Sequence, residues 1–389
     1  MSRMRVKTDT NASAENFRIQ LADVEDFVRG AALLGAGGGG DPYIGRLMLE
    51  RELSRGATLD IVSLDELLDD KLVVSVCVMG APTVMIEKVP SVLALENALR
   101  RLEETLGRRA DTLIPLEIGG INSTVPLVLG ARMGLPVVNA DGMGRAFPEL
   151  QMVTFGIYGA DISPLVVTNE RGESVTIKSL SNKTGEHLAR SATAQMGGAA
   201  HVALYPMTGA QTKRTAVRNT LAVALEMGRA IGHARMRGHR PEEALFDALA
   251  RLPEPRIGRI LFRGKIVDVR RTTSGGFNRG EVLIERSPTD SLRIEFQNEN
   301  LAAYRNSVPI ALTPDIITII DDDTAEPITA ETLKFGQRVQ VVGISVPRMM
   351  RTPEALRVVG PRAFHIDLDY QPFETISAPE RPASNSKAR

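Results

Sequence analysis

Acidic residues set beside glycine-rich turns are the groups in this sequence whose types and spacing suit chemistry. Glu117 precedes Gly119-Gly120-Ile121-Asn122, and Asp141 opens Asp141-Gly142-Met143-Gly144-Arg145, with Glu149 shortly after. Asp41 closes the run Gly35-Ala36-Gly37-Gly38-Gly39-Gly40. A carboxyl group's proton affinity follows its surroundings, so two carboxyls in different settings divide into an acid and a base. Glycine allows backbone N–H groups to approach a ligand closely. Such donors stabilise negative charge that develops during a reaction. Carboxylates also suit hard divalent cations, so Asp141 and Glu149 are equally candidates to share one. The candidate catalytic residues are therefore Asp141, Glu149, Glu117 and Asp41. The candidate substrate-binding residues are Gly38, Gly39, Gly80, Gly119, Gly120, Asn122, Gly142 and Arg145. For any one loop, turn formation by Gly and Asp is an equally good account. Recurrence at three strand ends favours a site.

Other motifs weigh less. Gly35, Gly37 and Gly40 fit G-x-G-x-x-G, and Asp60 stands 20 residues after Gly40. A dinucleotide loop needs a strand before its first glycine. Here Val24, Phe27, Val28 and Ala31 recur at helical spacing instead, so that reading is disfavoured. No Gly-Lys-Ser/Thr follows, which excludes a P-loop. An active-site loop or an anion-binding turn at a helix start remains. Asp41 serves equally well as a helix cap before Pro42. The five histidines are His187, His201, His233, His239 and His365, and none has a metal-ligand spacing. His201, after Gly197-Gly198, is the best ligand candidate, although a lone histidine is more often structural. His233 and His239 sit among arginines and belong on the surface. Cys77 lies within an apolar run and reads as core.

The elements that must hold these residues follow from apolar periodicity. Helices are expected over 21–34, with Asp23 as N-cap, and over 43–54, 91–106, 124–133, 213–236 and 241–252. Strands are expected over 59–64, 72–79, 112–118 and 136–139. This alternation predicts an α/β fold with a mostly parallel sheet. Ligands in such sheets bind beyond the carboxyl ends of the strands, where Gly80, Gly119 and Asp141 fall. After Pro253 and Pro255 the texture changes to short strands, over 259–269, 280–285, 292–296, 316–320 and 338–344. We expect an α/β catalytic domain over 17–254, including a helical segment at 213–252, and a β-rich domain over 255–375. Residues 1–16 and 376–389 read as disordered tails.

Composition closes off several classes. Lys+Arg and Asp+Glu are both 47 in 389 residues, so the net charge is zero. A nucleic-acid binder would carry a basic excess, and none exists. One Cys excludes an internal disulfide. No signal-like or membrane-length apolar run occurs, so a cytoplasmic protein without membrane contact is expected.

The ordered motifs 35–42, Met79-Gly80-Ala81-Pro82, Leu116-Glu117-Ile118-Gly119-Gly120-Ile121-Asn122-Ser123 and Asn139 through Met152 resemble the DUF917 family, also called the S-methyl thiohydantoin desulfurase family. Later segments resemble its second domain: Gly264-Lys265-Ile266-Val267-Asp268-Val269, Glu295-Phe296-Gln297-Asn298-Glu299-Asn300, Gly336-Gln337-Arg338-Val339, Arg351-Thr352-Pro353-Glu354 and Val359-Gly360-Pro361-Arg362-Ala363-Phe364. The resemblance spans about 20–372 and implies removal of sulfur from C2 of a thiohydantoin ring by water. The expected function is thus a hydrolase of a small cyclic amide or thioamide. Asp141 or Glu149 would act as base, Glu117 or Asp41 as acid or orienting group, and Asn122 would bind the ring. A divalent metal ion is an optional cofactor, and a homo-oligomer an optional assembly. The alternative is a non-catalytic accessory or ligand-binding subunit of a hydantoinase-type complex.

Overall fold

The computed structural model describes residues 16–40, 42–80, 84, 88 and 90–376. Most of the expected tails, and Asp41, lie outside the described residues. Asn16, assigned to a tail, is instead anchored: its side-chain oxygen accepts the Ser63 N–H at 2.6 Å and its amide reaches Glu66.

The first part of the chain runs β1 (Phe17–Arg18), α1 (Val24–Leu34), α2 (Pro42–Ser54), β2 (Asp60–Val62), β3 (Leu72–Gly80), α3 (Val92–Leu106), β4 (Thr112–Pro115), α4 (Gly120–Met133), β5 (Val137–Val138) and β6 (Ala140–Asp141). It continues through α5 (Thr154–Ile157), β7 (Leu165–Thr168), β8 (Ser174–Ile177), α6 (Asn182–Gln195), β9 (Ala199–Thr208), α7 (Gly209–Thr215), β10 (Val217–Arg218), α8 (Thr220–Met236) and α9 (Pro241–Ala250). One eight-stranded sheet has the order β1-β2-β5-β4-β3-β9-β7-β8. Its centre, β2-β5-β4-β3, is parallel, as the β-helix-β alternation predicts. The flanks, β1 on one side and β9, β7 and β8 on the other, run antiparallel. β3 is buried almost throughout, as its continuous apolar run requires of a strand covered on both faces.

The second part is an antiparallel sheet: β11 (Gly258–Ser274), β12 (Phe277–Ser287), β13 (Asp290–Gln297), β14 (Glu299–Arg305), β15 (Val308–Leu312), β16 (Ile316–Asp321), β17 (Pro327–Ile328) and β18 (Arg338–Ile344). Its strands alternate between two cores. Ile317 and Ile319 of β16, with Val339 and Val341 of β18, fill a core belonging to this sheet. Ile316, Ile320, Val342 and Ile344 face the other way and join the large core of the first part. The period-two alternation of each strand thus welds the two parts together. No helix among the described residues is long and apolar enough to cross a membrane.

Several boundaries differ from expectation, each for a physical reason. The helix expected over 213–236 is broken. Val217–Arg218 pairs with Ala140–Asp141, and Asn219 takes a left-handed φ of 62° before α8 begins. The strand expected to reach Ile118 stops at Pro115, and α4 starts at Gly120, four residues early, with Gly119 as its cap. Asp23 stands at the N-cap position of α1 without a side-chain cap bond there; its carboxylate accepts the Gln20 N–H at 2.9 Å, capping the preceding 3-10 turn, and pairs with Arg229. β14 and β15 were not expected. Their tight hairpin places Asn306 and Ser307 at φ 49° and 70°, the two consecutive positive angles of a type I′ turn.

Candidate active site

The parallel centre of the first sheet delivers Gly80, Glu117 and Asn139 to one end, against the edge of β14. A narrow cleft with about 60 Å³ of internal room opens there. Val78, Met79 and Gly80 form one wall, Leu116, Glu117 and Asn122 the floor, and Phe147 to Leu150 with Arg190 the rim. Gly39 and Gly40 close one side, and Asn298 and Glu299 enter from the second part of the chain.

Glu117 follows β4 and is 5% exposed. One oxygen, Oε1, accepts the Asn122 amide at 2.7 Å, while Oε2 is buried without a hydrogen-bond partner. Burial pushes this carboxyl up to about 8; the Asn122 amide and the nearby Phe147 N–H oppose the shift without reversing it. Asn122 is expected to bind a ligand, but its amide is already engaged. It accepts the Val78 N–H at 2.8 Å and donates to the Val78 carbonyl at 3.0 Å, as a neighbouring strand would. It therefore ties β3 to the start of α4 and fixes Glu117.

Asp141 is fully buried, but it is not among the residues lining the cleft. Its carboxylate accepts N–H groups from Met143 at 2.9 Å and Gly144 at 2.8 Å, and it faces Thr220. Burial still raises it to about 7, with the buried Arg256 opposing. The broken helix explains its position, because β10 pairs with β6 and Asn219 donates its N–H to the Asn139 carbonyl. The pairing of Asp141 with Glu149 expected from sequence is not seen. Glu149 lies at the rim and accepts the Gln151 amide.

The remaining glycines divide in two. Gly39 and Gly80 line the cleft. Gly38, Gly119, Gly120 and Gly142 pack beneath it, where side chains would not fit. A Cβ on Gly120 would lie 2.2 Å from the Gly39 carbonyl oxygen, and one on Gly142 2.8 Å from that of Leu116. The glycine run is anchored to the second part of the chain. The Ala36 carbonyl accepts the Asn300 N–H and the Gly37 carbonyl that of Ala330, both at 2.8 Å. Gly38 has no Cβ because the Glu299 Oε1 occupies that place, 2.2 Å from where it would stand.

Arg145, expected to contact substrate, is wholly buried and engaged elsewhere. Its guanidinium donates to the carbonyls of Ala146, Asn300, Pro314 and Asp315 and lies 4.6 Å from the centre of the Phe147 ring. Burial lowers it to about 10, while Glu299, Asp315 and Glu117 hold its charge. Arg190 is fixed by Glu186 at 2.5 Å and by the Pro148 carbonyl at 3.0 Å, and stacks on Phe277.

His201 is 4% exposed; its Nε2 accepts the Ser91 N–H at 2.8 Å and burial lowers it to about 4. It is structural, held in place as a capping partner of α3. Cys77 is buried and pushed well up, as a core thiol should be. Among the described residues no group of three or more His, Cys, Asp or Glu is placed to hold a metal ion. Sequence reasoning missed Glu299, Asn298 and Arg190 as site residues. A signal for the first two existed in Gln297-Asn298-Glu299-Asn300, an acid among amides inside an otherwise alternating strand region.

Comparisons bear on the fold and family. No curated protein matches the chain. A crystal structure of a protein from Chromobacterium violaceum superposes with a TM-score of 0.76 at 24% identity, covering 92% of this chain and 100% of that one. That likeness shows the fold. The model of the S-Me-THD-like N-terminal domain matches residues 22–179, and that of the S-Me-THD-like C-terminal domain matches residues 180–373. With both domains matched in order across nearly the whole chain, the protein belongs to the S-Me-THD-like family, that is, the S-methyl thiohydantoin desulfurase-like family.

Proposed function

We propose that the protein hydrolyses the C2–S bond of a five-membered thiohydantoin, in its S-methyl form, within this cleft. Family membership supplies the substrate class. The observation that carries the chemistry is Glu117: a buried carboxyl on the cleft floor, with one oxygen held by Asn122 and the other unpartnered. Raised to about 8, it holds a proton near neutral pH and serves as general acid. The apolar lining of Val78, Met79 and Leu116 suits a flat ring, and Gly39 and Gly80 allow close backbone approach. Asp141 acts as a positioning residue, because its carboxylate shapes the 141–144 turn.

The test is release of thiol from an S-methyl thiohydantoin, followed with a thiol reagent, with the unsubstituted thiohydantoin and hydantoin as companions. The wild-type protein releases methanethiol, and E117Q lowers kcat by roughly 10²–10⁴-fold with little change in KM. A wild-type protein that releases neither thiol nor sulfide overturns the reading. Thermal stabilisation by the ring compound without turnover identifies a binding protein instead.

A further inference from the structure

A second carboxyl enters the cleft from the other half of the chain. Glu299 opens β14, is 2% exposed, and lines the same cleft as Glu117. Its Oε1 lies against Gly38, and its Oε2 is buried with no hydrogen-bond partner. Glu117 and Glu299 thus each present one unpartnered oxygen. Behind them stands one cation, Arg145, whose charge both carboxyls hold. Asp315, the third acid near Arg145, has its own partner in Arg351 at 2.5 Å. Asp141 faces Arg256. Glu331 is the other acid acting on Glu299, while Glu149 and Arg190 stand at the rim. A dry site with two carboxyls and one guanidinium is neutral only when the pair keeps one proton.

We propose that Glu299 is the catalytic partner of Glu117, and that the two carboxyls share a single proton across Arg145. Charge balance then leaves one carboxyl ionised and one protonated. Arg145 holds both carboxyls, and in the reaction below Glu117 starts as the acid and Glu299 as the ionised base. Burial raises both, and repulsion between the two resists loss of the last proton.

The proposed reaction, which this inference takes from the function proposed above, balances on this pair. Glu299 takes a proton from water as the water oxygen bonds to ring C2, and the C2=N electron pair moves to nitrogen. Glu117 gives its proton to that nitrogen. In the second step Glu117 takes the proton of the new hydroxyl, C2=O forms, and the C2–S bond breaks. Glu299 gives its proton to the departing sulfur. One water is consumed, methanethiol leaves, and both carboxyls return to their starting states.

The proton itself is tested without substrate. Infrared difference spectra of the full chain at neutral pH, wild type minus variant, read the C=O stretch of a protonated carboxyl. E117Q and E299Q should each remove one and the same protonated-carboxyl band, because the remaining acid ionises beside Arg145. Survival of a Glu117 band in E299Q, or loss of a band in only one variant, overturns the shared proton. If E299Q does not fold, the fate of Glu299 in E117Q decides the matter: a protonated Glu299 there overturns the proposal. In the thiol-release assay E299Q should lose roughly 10²–10⁴-fold in kcat. Wild-type activity in E299Q overturns the catalytic role of Glu299. An inactive wild-type protein with the paired band intact would refute the substrate reading and leave the dyad standing.

Discussion

Burial makes Glu117 hold its proton more tightly than it would in the unfolded chain, and this makes stability depend on pH. Its ordinary value is 4.5 and burial raises it to about 8. The folded state therefore binds the proton more tightly than the unfolded chain does. The resulting stability is fully present below about 4.5 and is lost as pH rises through about 8. Replacement by Gln removes the titration while keeping shape. E117Q should therefore gain stability relative to wild type as pH climbs through that window, and little below it. Urea midpoints measured at both ends check this, and a pH-independent difference would contradict it. The carboxyl itself was readable from Leu116-Glu117-Ile118-Gly119, because an acid at the end of an apolar run next to glycines is conspicuous. Its partner was not. Glu299 is 182 residues away in sequence, and nothing local says that the start of β14 meets the turn after β4 at one cleft.

At the scale of elements, the cleft depends on how closely helices cross. α1 and α8 meet at Gly30 and Gly228. A Cβ at Gly30 would fall 1.7 Å from the Ala224 carbonyl oxygen, and one at Gly228 would fall 1.7 Å from that of Asp26. Backbone cannot yield there as a flexible side chain would. G228A should destabilise the protein by about 1–3 kcal/mol, read from chemical denaturation, and a change within about 0.5 kcal/mol would contradict the crossing. α1 runs straight into the glycine loop, so the same variant should also weaken turnover. Apolar residues at helical spacing located α1, which is buried over most of its surface, while α2 buries a single face through Met48, Leu49 and Glu52. The same spacing failed over 213–236, where the local pattern is helical but pairing of β10 with β6 prevails.

Across the whole molecule, the buried Arg145 is one of the links between the two halves, beside the shared core and the bonds of the glycine loop. Arg145 leaves the β6 turn of the first half and donates to the carbonyls of Asn300, Pro314 and Asp315 in the second. It also offsets the charge of the cleft acids. R145M removes the donors and the charge together, leaving carbonyls and a carboxylate uncompensated. The expected cost is about 3–5 kcal/mol in unfolding free energy. Calorimetry should show a lowered midpoint, and an unchanged one would mean that the interface rests on the Ile316, Ile320, Val342 and Ile344 packing and on the bonds of Ala36, Gly37 and Arg29 to the second half.

The order of elements, the parallel centre of the first sheet, the β-rich second half and the family were set by local features of the chain. Apolar period, glycine turns and short acid-bearing motifs act over a few residues and can be read without coordinates. What the folded molecule added is long-range. It turned Asp141, Asn122 and Arg145 inward as supports, and it brought Glu299 beside Glu117. Those outcomes depend on burial and on hydrogen bonds between residues far apart in sequence, and it is burial, above all, that gives a carboxyl its chemistry.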